Sequence, residues 1–173
     1  MSTATFFRNG DAGIAGHPGK FAPQHRPDAT GTLAPASREL SQSIASRIDA
    51  AQTGMLQAKD LLEDGRESGR AHALAESYAR MVFDEGDDFD YAAEGESMLD
   101  DRISGDTNAF NLPLELNGRK RDEVVGYLRG RAAEAFTKAT SGEEIADVAA
   151  FHSGEYESFT DLADELDTDG DDF

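Results

Sequence analysis

From Ser37 onward, apolar residues fall into a helical rhythm, with Leu40, Ile44, Ile48, Ala51, Met55, Ala58 and Leu62 recurring in steps of three and four. Side chains at that spacing share one face, so the pattern predicts an amphipathic helix. A second helix is expected over Glu67–Phe83, with Ala71, Leu74, Tyr78, Met81 and Val82 inward and with Gly65 and Gly69 breaking or bending the chain before it. A weaker helix covers Tyr91–Ile103, its inward residues being Met98, Leu99 and Ile103. Leu112, Leu114 and Leu116 then alternate with Pro113 and Glu115 and end at Asn117-Gly118, which suggests a short β segment near 112–116. Val124, Val125, Leu128, Ala132, Ala135 and Phe136 line one side of a helix over Arg121–Ala139. Ser141 and Glu144 have the spacing of a capping box, in which each end residue satisfies the other's backbone N–H. A helix from there to Phe151 would bury Ile145, Val148 and Phe151, and a last short helix after Gly154 centres on Phe159, Leu162 and Leu166.

These elements describe a mainly α protein, a small helical domain over 37–166 with one short β segment at most. A Gly- and Pro-rich stretch without apolar period, residues 1–36, reads as a flexible N-terminal arm, and 167–173 (DTDGDDF) as an acidic tail. At 173 residues and 38% hydrophobic content, there is material for one core and not for two.

Charge changes the picture more than any motif does. Thirty-five Asp and Glu against 16 Lys and Arg leave a formal net charge of -19, well beyond the need for solubility. The arm contributes little of it, since Arg8, Lys20 and Arg26 stand there against Asp11 and Asp28. An acidic surface of this strength repels phosphate and anionic lipid, so direct nucleic-acid binding and membrane association are not expected, and basic protein surfaces are the natural partners. With no Cys there is neither a disulfide framework nor a thiolate metal site. No apolar run reaches the ~20 residues of a membrane span and Met1–Gly10 lacks a signal-peptide layout, so a cytoplasmic location is expected.

Catalytic chemistry has little to stand on. His72 and His152 lie in helical stretches without a nucleophile at recognised spacing, and Gly16-His17-Pro18-Gly19-Lys20 lacks the gap and final hydroxyl of a phosphate-binding loop. Asp167–Asp171 begins like a calcium loop, but its Gly comes early and no Glu follows at the twelfth position. Neither an enzyme, nor a cofactor, nor a metal site is expected.

The acidic residues themselves carry the main candidate function. Carboxylates three or four apart on a helix lie about 5–6 Å from one another, similar to successive phosphates on a strand. B-DNA holds one charge per ~1.7 Å of axis, so the net charge matches roughly 30 Å of duplex, while a chain of this length folds to about 40 Å across. One candidate patch comprises Asp84, Glu85, Asp87, Asp88, Asp90, Glu94, Glu96, Asp100 and Asp101, and a second Glu155, Glu157, Asp161, Asp164 and Glu165. The bland alternative is a salt-adapted protein whose acidity only solvates it; only 4 of the 16 basic residues are Lys. A salt-adapted chain should lose its fold at low salt, where a DNA mimic keeps it.

Residues Ile145–Leu166 (IADVAAFHSGEYESFTDLADEL) resemble a segment of ArdA-type antirestriction proteins, in which an aromatic-containing helix leads through a Gly-Glu-aromatic-acidic-Ser turn into an acidic helix. The matching positions are Phe151, Gly154, Glu155, Tyr156, Glu157, Ser158, Phe159, Asp161, Leu162, Ala163 and Leu166. The resemblance implies a DNA mimic that occupies the DNA-binding groove of type I restriction-modification enzymes. It does not extend to the family's β-rich opening region, and those proteins continue beyond the point matching Phe173.

The expected function is thus an acidic inhibitor from a phage or mobile element, binding the basic DNA-binding surface of a host nuclease or methyltransferase in fixed stoichiometry. The competing reading is an adaptor or antitoxin-like partner that docks through an apolar face and owes only its solubility to charge. Arg119-Lys120-Arg121, the compact basic cluster, suits local salt bridges or a homodimer contact with an acidic patch.

Overall fold

A computed structural model describes residues 35–83, 85–86, 88–106, 108–112, 114, 116 and 118–168, with side chains from Arg38 onward. The chain divides into Met1–Thr32 and Leu33–Phe173, and the first unit lies outside the described residues. So does the arm expected over 1–36, apart from its last two residues, which already belong to a helix. The described residues of the second unit form five helices: α1 (Pro35–Gln57), α2 (Leu61–Val82), α3 (Tyr91–Ile103), α4 (Gly118–Thr140) and α5 (Ala146–Thr168). Of the acidic tail expected over 167–173, Asp167 and Thr168 close α5 and the remainder lies outside the described residues. The mainly helical class expected from the periodicity is what the structure shows.

The centre of the unit is α2, which packs against α1, α3 and α5 and touches α4. From Ala73 to Met81 every residue of it is buried, which a helix tolerates only if its neighbours surround it. Small residues there, Ala73, Ala75, Ser77 and Ala79, let four helices approach, while the larger Leu74, Tyr78 and Met81 fill the space between them. The α4–α5 hairpin adds Val124, Leu128, Phe159, Leu162 and Leu166 to the same core.

Glycine makes the closest contacts. A Cβ at Gly69 would stand 1.9 Å from the Phe151 carbonyl oxygen, and one at Gly154 would stand 2.0 Å from that of Arg66. Gly65 lies against Asp147 and Gly69 against Phe151 and Glu155, so α2 and α5 run parallel and touch backbone to backbone. Gly95 brings α3 close as well, 2.6 Å separating its would-be Cβ from the Glu76 nitrogen.

Three expectations are corrected by this packing. The break between α1 and α2 falls at 58–60, where Asp60 caps α2 by accepting from the Leu62 and Glu63 N–H groups, and α2 runs straight through Gly65 and Gly69. Helix α5 likewise continues through Gly154, so the turn implied by the antirestriction resemblance is helical here. The Ser141 hydroxyl accepts from Glu143, not Glu144, α5 begins at Ala146, and Ile145 is exposed.

No strand forms among the described residues of 112–116; Leu112 and Leu114 belong to an irregular connection. That connection is fastened from inside. The Leu112 carbonyl accepts from the Tyr78 hydroxyl at 2.8 Å and from Ser41 at 3.1 Å, while Phe110, fully buried, meets the Tyr78 ring edge-on. Hydroxyls from α1 and α2 thus replace the strand partner that the alternating leucines lack.

Two charged side chains of α2 are buried in the core. Glu76, with no exposed surface, receives the Tyr127 hydroxyl at 2.6 Å and both Nε and Nη2 of Arg131, at 2.5 and 3.0 Å. The Arg80 guanidinium lies over the Tyr91 ring, 5.0 Å from its centre, and 5.8 Å from that of Tyr127. Burial first, then the bond to Glu76, pushes the Tyr127 hydroxyl far above the ordinary tyrosine range, and burial raises Tyr78 as well. At the acid end, burial raises Glu157, but bonds from Arg66 and Arg70 outweigh it and hold the carboxyl below its ordinary value.

The pH profile of stability should therefore fall at both ends. The tyrosine contribution is complete below their ordinary value of 10.0 and is lost above it, because the unfolded chain releases protons that Tyr78 and Tyr127 keep. The Glu157 contribution is complete above 4.5 and is lost as pH drops toward its depressed folded value. Urea midpoints measured from pH 3 to 11 check this, with Glu157→Gln expected to flatten the acid limb alone; an unchanged acid limb contradicts the assignment.

Candidate functional site

The candidate carboxylates separate into two sets with different fates. Asp84 and Asp87 lie outside the described residues. Of the rest of the first set, Glu85, Asp88, Asp90, Glu96, Asp100 and Asp101 are exposed and Glu94 is half-buried. Helix α3 turns Tyr91, Gly95, Met98 and Leu99 toward the core, so at 3.6 residues per turn Glu94, Glu96, Asp100 and Asp101 spread over its outward arc. Asp90 also caps the helix, its carboxylate accepting from the Ala93 N–H at 3.0 Å. That bond satisfies one of the free N–H groups at the start of the helix.

Nothing described neutralises this arc. None of Glu85, Asp88, Glu94, Glu96, Asp100 and Asp101 forms an ion pair with a described residue. The single basic residue of α3, Arg102, turns away to Asp49 of α1 at 2.7 Å. Its guanidinium is held above the ordinary range chiefly by that hydrogen bond.

The second set is largely consumed inside the bundle. Glu155 is only 6% exposed, a correction to its expected place on an outward face. Its carboxylate takes the His152 ring at 2.7 Å and has His72 Nδ1 at 3.8 Å, so the two histidines meet there. Glu157 is gripped by Arg66 and Arg70, and Glu165 by Arg47 at 3.1 Å. Only Asp161 and Asp164 of this set are exposed without a cationic partner among the described residues.

Topology explains the difference. Helix α5 lies between α2 and α4 and within reach of α1, so arginines from three helices, Arg47, Arg66, Arg70 and Arg129, arrive at its carboxylates. Helix α3 rests on α2, and its far side meets no other described helix. A free arc is thus a property of α3 and its leading turn.

Sequence reasoning passed over one other surface. Phe136, expected inward, is 50% exposed and stacks at 5.3 Å on Tyr156, itself 37% exposed, along the α4–α5 seam. A Phe on the inward-looking side of the helical wheel gives no sign that α4 has fewer neighbours than its apolar stripe could cover.

Among the described residues, no group of three or more His, Asp and Glu side chains is placed to hold a metal ion, and no helix is long and apolar enough to cross a membrane. The Arg119-Lys120-Arg121 cluster opens α4, and Arg119 pairs with Glu123 at 2.9 Å, the local salt bridge expected of it. In comparisons with known proteins, no family model, no curated protein and no solved structure matches the chain.

Proposed function

We propose that the protein is an acidic inhibitor that binds the basic DNA-binding surface of a host defence nuclease or methyltransferase, with α3 and the turn before it as the contact. The observation that carries this reading is the unpaired carboxylate arc on α3, whereas Glu157, Glu165 and Asp167 of α5 are held by arginines. Unpaired exposed charge on an ordered helix costs little reorganisation when a complementary surface arrives, and it steers that surface from a distance. Inhibition is by occupancy in fixed stoichiometry, and no bond is made or broken. The local likeness of 145–166 to ArdA-type proteins favours a restriction-modification enzyme as the target; the present contact differs in resting on α3 and not on that segment.

A DNA-cleavage assay with a purified type I restriction-modification enzyme tests this. Cleavage should stop at a near-stoichiometric ratio of inhibitor, and excess non-cleavable duplex should restore it. No inhibition at a tenfold excess over enzyme, or inhibition indifferent to competing duplex, contradicts the reading.

A further inference from the structure

Antiparallel α4 and α5 leave an open groove of about 330 Å3 between them. Ala132, Ala133 and Ala163 keep it open by being small, and the stacked rings of Phe136 and Tyr156 form its apolar wall. Two adjacent, half-exposed aromatic rings beside a small-residue floor are the surface that accepts an apolar anchor from a partner.

Electrostatics select the occupant. Arg129, the cation in the lining, is neutralised by Asp167 at 2.6 Å, whereas Asp164, also in the lining, has no cationic partner among the described residues. The groove therefore carries negative charge, on a chain whose net charge of -19 repels a second copy of itself. An apolar groove between two helices is the kind of surface into which an amphipathic partner helix lays its apolar face. We infer that this groove docks a cationic amphipathic helix of a partner protein, an apolar side chain entering beside Phe136 and Tyr156 and a flanking Lys or Arg meeting Asp164. The site is independent of the α3 arc, and an inhibitor that uses both would hold its target at two places.

The probe is a dye-labelled 14-residue peptide with Leu at three-and-four spacing and Lys elsewhere, followed by fluorescence anisotropy at near-physiological salt. Two further peptides replace Leu by Ser or Lys by Glu. The Leu/Lys peptide should bind, and the Phe136→Ala/Tyr156→Ala double variant should weaken it at least tenfold. Ala133→Arg, which blocks the groove by bulk and leaves the ring pair in place, should do the same and carries the test if the double variant melts early. Asp100→Asn/Asp101→Asn should change this affinity less than twofold, which separates the groove from the α3 reading. Equal binding of the Ser/Lys or Leu/Glu peptide, or insensitivity to Ala133→Arg, overturns the proposal. So does a peptide-free dimer that Ala133→Arg converts to monomer, since that assigns the groove to a second copy.

Discussion

Gly69→Ala and Gly154→Ala should each destabilise the protein by about 3 kcal/mol or more, at or beyond the upper end for an overpacked core. The added methyl at 69 would stand 1.9 Å from the Phe151 carbonyl oxygen and that at 154 would stand 2.0 Å from the Arg66 oxygen. Both obstacles are helical backbone, which cannot swing aside as a side chain does, so α2 and α5 must separate along their shared line. The same substitution in α4 should have the opposite sign. Gly126 and Gly130 are exposed mid-helix glycines where an added methyl would meet nothing within 4 Å, so Ala there should stabilise by about 0.5–1 kcal/mol through helix propensity alone. Urea unfolding of the four variants checks this; equal effects at all four sites would mean that the parallel α2–α5 contact is misplaced.

Glu76→Ala is the second large effect, expected to cost about 3–5 kcal/mol because removing one member of a buried pair strands the other. The carboxylate has no exposed surface and anchors Arg131 in two places and Tyr127 in one, so its loss leaves the Tyr127 hydroxyl without its partner and the Arg131 guanidinium, itself 26% exposed, held by Glu134 alone. Arg131→Met alone should be nearly as costly, since Glu76 then keeps only the Tyr127 hydroxyl. Replacing both, as Glu76→Leu with Arg131→Met, should recover much of the loss, as apolar groups of similar volume often equal a buried ion pair. A double variant as unstable as the sum of its parts would show that Glu76 is tolerant of water and not sealed in the core.

Helix existence was legible in the sequence because burial on one face leaves a period, and α3 spans the same residues that the pattern assigns to it. What the pattern hides is contact between backbones. Gly65, Gly69 and Gly154 resemble helix breaks when judged by propensity, yet each lies within a continuous helix where only a missing side chain lets another helix touch. The centrality of α2 was hidden for a related reason, since no period shows that Glu76 and Ser77 are satisfied from inside by Arg131 and Ala73, or that Arg80 is buried against two tyrosine rings with its Nη1 lacking a hydrogen-bond partner among the described residues.

The candidate site was legible in the same uneven way. Acidic residues on the outward arc of α3 follow from composition and helical period together. The fate of Glu157 and Glu165 does not, because it depends on which arginines of α1 and α2 lie across the interface, and the burial of Glu155 depends in turn on Gly69 of α2 lying against it; no local spacing encodes either.

If ordered, unpaired carboxylates on α3 make the contact, binding must depend on salt through them. Affinity for the type I enzyme would be measured from about 0.05 to 0.5 M salt for the native chain and for a variant carrying Glu96→Gln, Asp100→Asn and Asp101→Asn, with Asp161→Asn/Asp164→Asn as the comparison. Affinity should fall steeply with salt for the native chain, the α3 variant should show a shallower slope with weaker low-salt binding, and the α5 variant should stay near native. Parallel slopes for all three proteins would contradict a contact through α3.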